Sequence, residues 1–178
     1  RDTGRIKPLC ATAFTLTLSF SALIVLFVLM FPSLALSLVI SRKEEAITAL
    51  ALDYLPVLVF SYLPFAFTAA CIAILRGVEV VRVTLYATIG SLISNVTLNY
   101  ILIFGKLGFP ALGVRGAATA TVLARLIEAG IVVFYLFRVQ KVLPLRAGDL
   151  MIHRVWAWKD YTRFGLPVGL TDAQWALI

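Results

Sequence analysis

VTLYATIGSLISNVTLNYILIF, residues Val83–Phe104, runs for 22 residues without a charged side chain. At about 1.5 Å of rise per residue, a helix of that length covers the roughly 30 Å hydrocarbon core of a bilayer. The stretch therefore reads as a membrane span, and it raises a question. Asn95 and Asn99 stand one helical turn apart on one face, with Thr97 between them. Carboxamides among lipid tails need a reason to be there.

Working outward, three more blocks of the same character appear, at about Leu9–Phe31, Tyr54–Leu75 and Gly116–Phe137. A fifth starts near Phe164 and is still apolar at Ile178. Composition agrees: 61% of residues are hydrophobic, 14% are charged, and the mean hydropathy is +0.98. A soluble domain is nearer half apolar and a quarter charged. The expected class is an all-α, polytopic integral membrane protein, with short loops making consecutive helices antiparallel neighbours in a bundle. The opening RDTGRIKP reads as a polar loop and not as a signal peptide. A fifth helix that stops partway across the bilayer leads us to expect a fragment of a longer chain.

The net charge of +7 has a topological pattern. Eleven Lys and Arg residues fall before the first span, between the second and third, and after the fourth. Only Arg42, Lys43, Lys106 and Arg115 occupy the opposite loops. This is the positive-inside bias, and it places residues 1–8, 76–82 and 138–163 in the cytoplasm of a multi-pass plasma (inner) membrane protein. Nucleic acid is not an expected partner; the lipid bilayer is.

Punctuation between spans is informative. SRKEEAITALALDY, Ser41–Tyr54, has mixed charge at helical spacing and is expected to form a short outer amphipathic helix. GKLGFPALGVRG, Gly105–Gly116, holds four glycines and a proline, which suits a tight turn. Pro32 is expected to close the first span, while Pro56 and Pro64 in the second and Pro167 in the fifth should bend their helices. Trp156, Trp158 and Tyr161 suit an interfacial belt. Cys10 and Cys71 have no metal or redox spacing and read as packing residues. His153, the single histidine, sits in a loop without other ligands nearby, so no metal or cofactor is expected.

Polar residues at membrane depth are Asn95, Asn99, Arg125, Glu128, Asp172 and Gln174, with the hydroxyls of Thr97, Thr119 and Thr121. An insertion cost of roughly 2.5–3.5 kcal/mol for a central Asp, Lys or Arg keeps such groups facing the bundle or a wet cavity. Arg125 and Glu128, three residues apart, read as a structural ion pair. For Asn95 and Asn99 two readings stand. They are either glue between helices, at about 0.6 kcal/mol per hydrogen bond, or oxygen ligands lining a hydrated cavity, the kind that suits a hard cation. Asp172, the unpaired acid, could exchange a proton with such a cavity.

The stretch LRGVEVVRVTLYATIGSLISNVTLNYILIFGKLGFPALGVRGAATATVLARLIE, Leu75–Glu128, closely resembles the multidrug and toxic compound extrusion (MATE) transporters. Their pattern is an LRG-x-G-(D/N)-x-(R/K) loop, a span with N-x-x-x-(N/D)-Y-x-L-I-F-G, and a G-x-x-P-x-L-G-V-x-G-A-A-x-A-T loop. GRIKP near the start and RFGLPVGL (Arg163–Leu170) resemble further family segments.

The resemblance implies spans three to six of a twelve-helix transporter and the start of span seven. Residues 1–138 would be part of the N-terminal six-helix lobe, 139–160 a cytoplasmic linker between lobes, and 161–178 the start of the C-terminal lobe. It implies export of cationic or amphipathic small molecules by alternating access, in exchange for Na⁺ or H⁺, with the remainder of the chain required. It also implies that Asn95, Asn99 and Thr121 line a cation site, with Asp172 as a candidate for proton or substrate.

Three departures from the pattern stand out. Glu79 replaces a Gly-Asp or Gly-Asn, Asn99 stands where some relatives carry Asp, and Trp175 stands where some carry Glu. The second tilts the reading toward Na⁺, or toward a proton carried by another acid. Flippases for lipid-linked oligosaccharides share this general fold and are the alternative. An intramembrane enzyme is disfavoured, since the one His lies in a loop and one unpaired Asp is available.

Overall fold

The computed structural model describes residues 3–37, 45–77, 80, 82–139, 157–159 and 163. Within them the helices are α1 (Thr3–Met30), α2 (Pro32–Ser37), α3 (Glu45–Leu58), α4 (Tyr62–Gly77), α5 (Arg82–Phe104) and α6 (Gly113–Phe134). No strand occurs among the described residues. Four stretches are long and apolar enough to cross a membrane: Lys7–Met30, Leu50–Gly77, Arg82–Phe104 and Gly113–Val139. They match the four complete blocks read from the sequence to within a few residues. The fifth block, the cytoplasmic loop with His153, and Asp172 with Gln174 lie outside the described residues.

One punctuation signal acts differently from expectation, while Pro32 closes the first span as expected. The mixed-charge segment is no separate outer helix: α3 starts at Glu45 and leads through a 3₁₀ turn at Val59–Ser61 directly into α4. Nothing between Glu45 and Leu55 breaks a helix, and Pro56 and Pro64 bracket the 3₁₀ turn instead of ending the span. Beside that turn, the Ser21 hydroxyl of α1 donates to the Tyr62 carbonyl at 3.0 Å. Pro32 breaks α1 from α2, but bonds from Phe31 N–H to Phe27 O and from Ala35 N–H to Phe31 O carry the helical path past it. Proline at the first position of a helix forfeits no bond.

Helix directions follow from paired positions. On α5 and α6, Leu102 meets Gly116, Asn95 meets Thr121 and Ser91 meets Ala124, so the two run antiparallel. Phe14 and Phe67 rings pack edge-on at 5.1 Å, and with the Ser21–Tyr62 bond they make α1 antiparallel to α4. The main apolar core lies at the end that the charge pattern assigns to the cytoplasm. There Phe14, Cys71, Leu75, Val83, Ala87, Val132 and Leu136 converge. Cys71 is buried and unbridged, as a packing residue should be, and Cys10 is half-buried.

At the other end, α5 closes with Gly105 at φ 64°, and Lys106 N–H reaches back to Ile101 O at 3.0 Å. That is the 6→1 bond of a Schellman stop, which needs a left-handed residue. The turn then returns Leu112 N–H to Leu102 O at 2.9 Å. Exposed, apolar Tyr86, Ile89, Ile93, Val96, Tyr100 and Phe104 form one stripe along α5, suited to lipid or to further helices.

The α5–α6 contact is backbone against backbone. A Cβ on Gly116 would stand 2.6 Å from Leu102 O, whereas one on Gly130 of α6 meets nothing within 4 Å. Gly116→Ala should therefore lower the melting temperature of the complete protein in detergent, by an overpacking cost of about 1–3 kcal/mol. Gly130→Ala should not lower it. Equal melting curves for the two variants would contradict this packing.

Candidate functional site

Small side chains on α6 decide how near α5 can come. Gly116, Ala120 and Ala124 are buried against it, and the Ser91 hydroxyl donates to Ala124 O at 3.3 Å across the gap. Small residues at the contact are what close helix pairs in membranes use. Beside this contact lies a cleft of about 280 Å³.

Its wall contains Thr88, Ser91 and Asn95 from α5, and Thr121, Arg125 and Glu128 from α6. Four of the residues singled out in the sequence thus meet in one place. Asn99 adjoins them: its Nδ2 donates to Asn95 Oδ1 at 2.9 Å. Asn95 Nδ2 in turn donates to Thr121 Oγ1 at 3.5 Å, and Thr121 Oγ1 to Ala117 O at 3.0 Å. The result is a directed relay of donors running from α5 to the α6 backbone. At its head, Asn99 Oδ1 is buried with no hydrogen-bond partner among the described residues. A buried acceptor left bare costs about 1–3 kcal/mol, so this oxygen calls for a donor or a cation.

Arg125 Nη1 reaches Glu128 Oε2 at 2.7 Å, the ion pair that the spacing predicts. Its carboxylate side chain is 6% exposed and its guanidinium 37%. Phe65 of α4 lies under that guanidinium, with the ring centroid 4.9 Å from Arg125 Cζ.

Thr97 and Thr119 do not join the site. Their hydroxyls turn back to Ile93 O and Arg115 O, both at 2.8 Å, as mid-helix threonines commonly do. Sequence reasoning missed Thr88 and Ser91, although with Asn95 they follow i, i+3, i+7 spacing on one stripe. Phe65 gave no local signal. Among the described residues no three His, Cys, Asp or Glu side chains gather, so the cleft offers neutral oxygens and one paired carboxylate.

Comparison with known proteins adds independent findings. The MatE family model matches residues 1–101. A probable multidrug resistance protein NorM of Thermotoga maritima is 35% identical over 130 residues, 72% of this chain and 27% of that protein. The Rhizobium meliloti protein of the same description is 32% identical over 139 residues, 75% of this chain and 29% of that one. The chain thus spans under a third of the length of these curated relatives. A solved structure described as the inward-facing conformation of a multidrug resistance MATE family transporter of the MOP superfamily matches with a TM-score of 0.72. That match covers 93% of this chain and 41% of the other at 24% identity, so it speaks for the fold.

Accessibility separates the cleft from the outer stripe. In the complete protein with Cys10 and Cys71 replaced by Ala, Thr88→Cys should react with a charged, membrane-impermeant thiol reagent in proteoliposomes. Ile93→Cys, on the apolar stripe, should stay unmodified. The reverse pattern would show that the cleft is dry.

Proposed function

The chain belongs to the MatE family, and from that premise we propose that it is part of an ion-coupled efflux transporter and not of an enzyme. The complete protein would export cationic or amphipathic small molecules by alternating access, in exchange for Na⁺ or H⁺. Residues 1–138 would belong to the N-terminal lobe, 139–160 to a cytoplasmic linker and 161–178 to the C-terminal lobe. Residues 1–8, 76–82 and 138–163 would face the cytoplasm of the plasma membrane.

The observation that carries this reading is the buried, unpartnered Asn99 Oδ1 at the head of the relay beside the cleft. It lies five residues before the end of α5, or about 7–8 Å by helical rise, well inside the span. A dry structural glue would have paired both ends of the relay. Visiting water or a coupling ion supplies what is missing. For Na⁺ the ligands would be the oxygens of Asn99, Asn95 and Thr121, each of which keeps a lone pair beyond the relay bonds. Neutral oxygens bind a hard cation weakly enough to release it, which a transport cycle requires. Asp172 remains the candidate acid for proton or substrate.

The test uses the full-length protein in cells stripped of their own efflux pumps, reading ethidium export under an imposed Na⁺ or H⁺ gradient. Wild type should export under at least one gradient. Asn99→Ala should need on the order of tenfold more coupling ion for half-maximal export, and Asp172→Asn should export more slowly. Both variants matching wild type under both gradients would overturn the assignment.

A further inference from the structure

Among the described residues Glu128 is the one buried acid, and its neutralisation is lopsided. The Glu128 side chain is 6% exposed, whereas that of Arg125, joined to it through Nη1 and Oε2 at 2.7 Å, is 37% exposed, and both line the cleft. The guanidinium also covers the face of Phe65, a residue of α4 that is itself 46% exposed. A carboxylate at the back, an aromatic face beside it and the hydroxyls of Thr88 and Ser91 in the wall are the parts from which organic-cation sites are built. Here a cation of the protein's own occupies them.

We propose that Glu128 and Phe65 form a subsite for a flat aromatic monocation, and that Arg125 is its tethered occupant, displaced when substrate enters. This rests on the efflux reading above and specifies where a cationic substrate docks in this part of the transporter. Cation replaces cation, so the carboxylate is never left bare, and the long arginine stem lets the freed guanidinium turn into the cleft water. A pair kept for packing alone gains little, because apolar residues of equal volume replace buried ion pairs without loss and often with gain. At 280 Å³ the cleft sits just below the roughly 300–1,000 Å³ usual for small-molecule sites, which favours a compact ligand.

Ethidium binding to the purified full-length protein, read by fluorescence at equilibrium with no ion gradient, tests this. The sign of one variant is diagnostic. Removing the competitor in Arg125→Ala should tighten binding, by about threefold or more on the scale of a desolvated cation–π contact. Glu128→Gln should weaken it by on the order of tenfold, and Phe65→Leu by about threefold. Arg125→Gln, which keeps a hydrogen bond to Glu128 without the charge, should behave as Arg125→Ala does and guards against misfolding. A purely structural pair predicts the opposite: both single variants weaken binding and lower the melting temperature, and the double variant Arg125→Ala/Glu128→Gln regains both.

Unchanged or weaker ethidium binding in monodisperse Arg125→Ala and Arg125→Gln protein overturns the subsite. If wild type still binds and exports ethidium in that case, the efflux reading stands without it. If wild type neither binds nor exports ethidium, the efflux reading and the subsite fall together.

Discussion

Inside a bilayer no bulk water waits to satisfy a polar group, so each one must find its partner within the protein or in a cavity that water can reach. This constraint marks out two sets among the polar side chains of the spans, with Thr84 Oγ1, buried and unpartnered among the described residues, outside both. Thr12, Thr17, Thr68, Thr97 and Thr119 close on carbonyls of their own helices, four residues back, and need nothing further. Asn95, Asn99 and Thr121 instead depend on one another, and Arg125 and Glu128 on each other, in or beside a single cleft. The first set costs the bundle little. The second is incomplete by one acceptor, Asn99 Oδ1, the atom on which the proposed transport role rests.

The relay works only because α5 and α6 come close. Gly116 lets the α6 backbone rest against Leu102 O, and the loop returns Leu112 N–H to that same carbonyl. From this fixed point the helices run back toward the other end of the bundle, bringing Thr121 within reach of Asn95 and Ser91 onto Ala124 O. The apolar core around Leu75, Val132 and Leu136 holds the far end. The cleft therefore lies between two firmly packed regions.

Much of this was legible in the residues themselves. Apolar blocks located the four spans because a membrane span is a composition before it is a contact. The i, i+4 and i, i+3 spacings put Asn95 with Asn99 and Arg125 with Glu128 because helical geometry is local. What escaped was set elsewhere. The helix expected at Ser41–Tyr54 is not a separate one, because α3 from Glu45 continues through a 3₁₀ turn into α4 and nothing in its sequence forces a break. Thr97 was grouped with the asparagines on proximity in sequence, yet a residue two positions along a helix faces away. Phe65 became visible only when α4 packed beside α6. The wider π-helical turn at Tyr135–Val139 has no sequence signal that we can identify.

What stands next to one oxygen atom, Asn99 Oδ1, decides between a visited site and dry packing. A structure of the complete protein, at a resolution that shows ordered solvent, answers this most directly. A water molecule or cation is expected within about 3.2 Å of Asn99 Oδ1, in continuity with the cleft. A hydrocarbon side chain or lipid tail pressed against that atom, or a fixed protein donor sealing it from solvent, would contradict it.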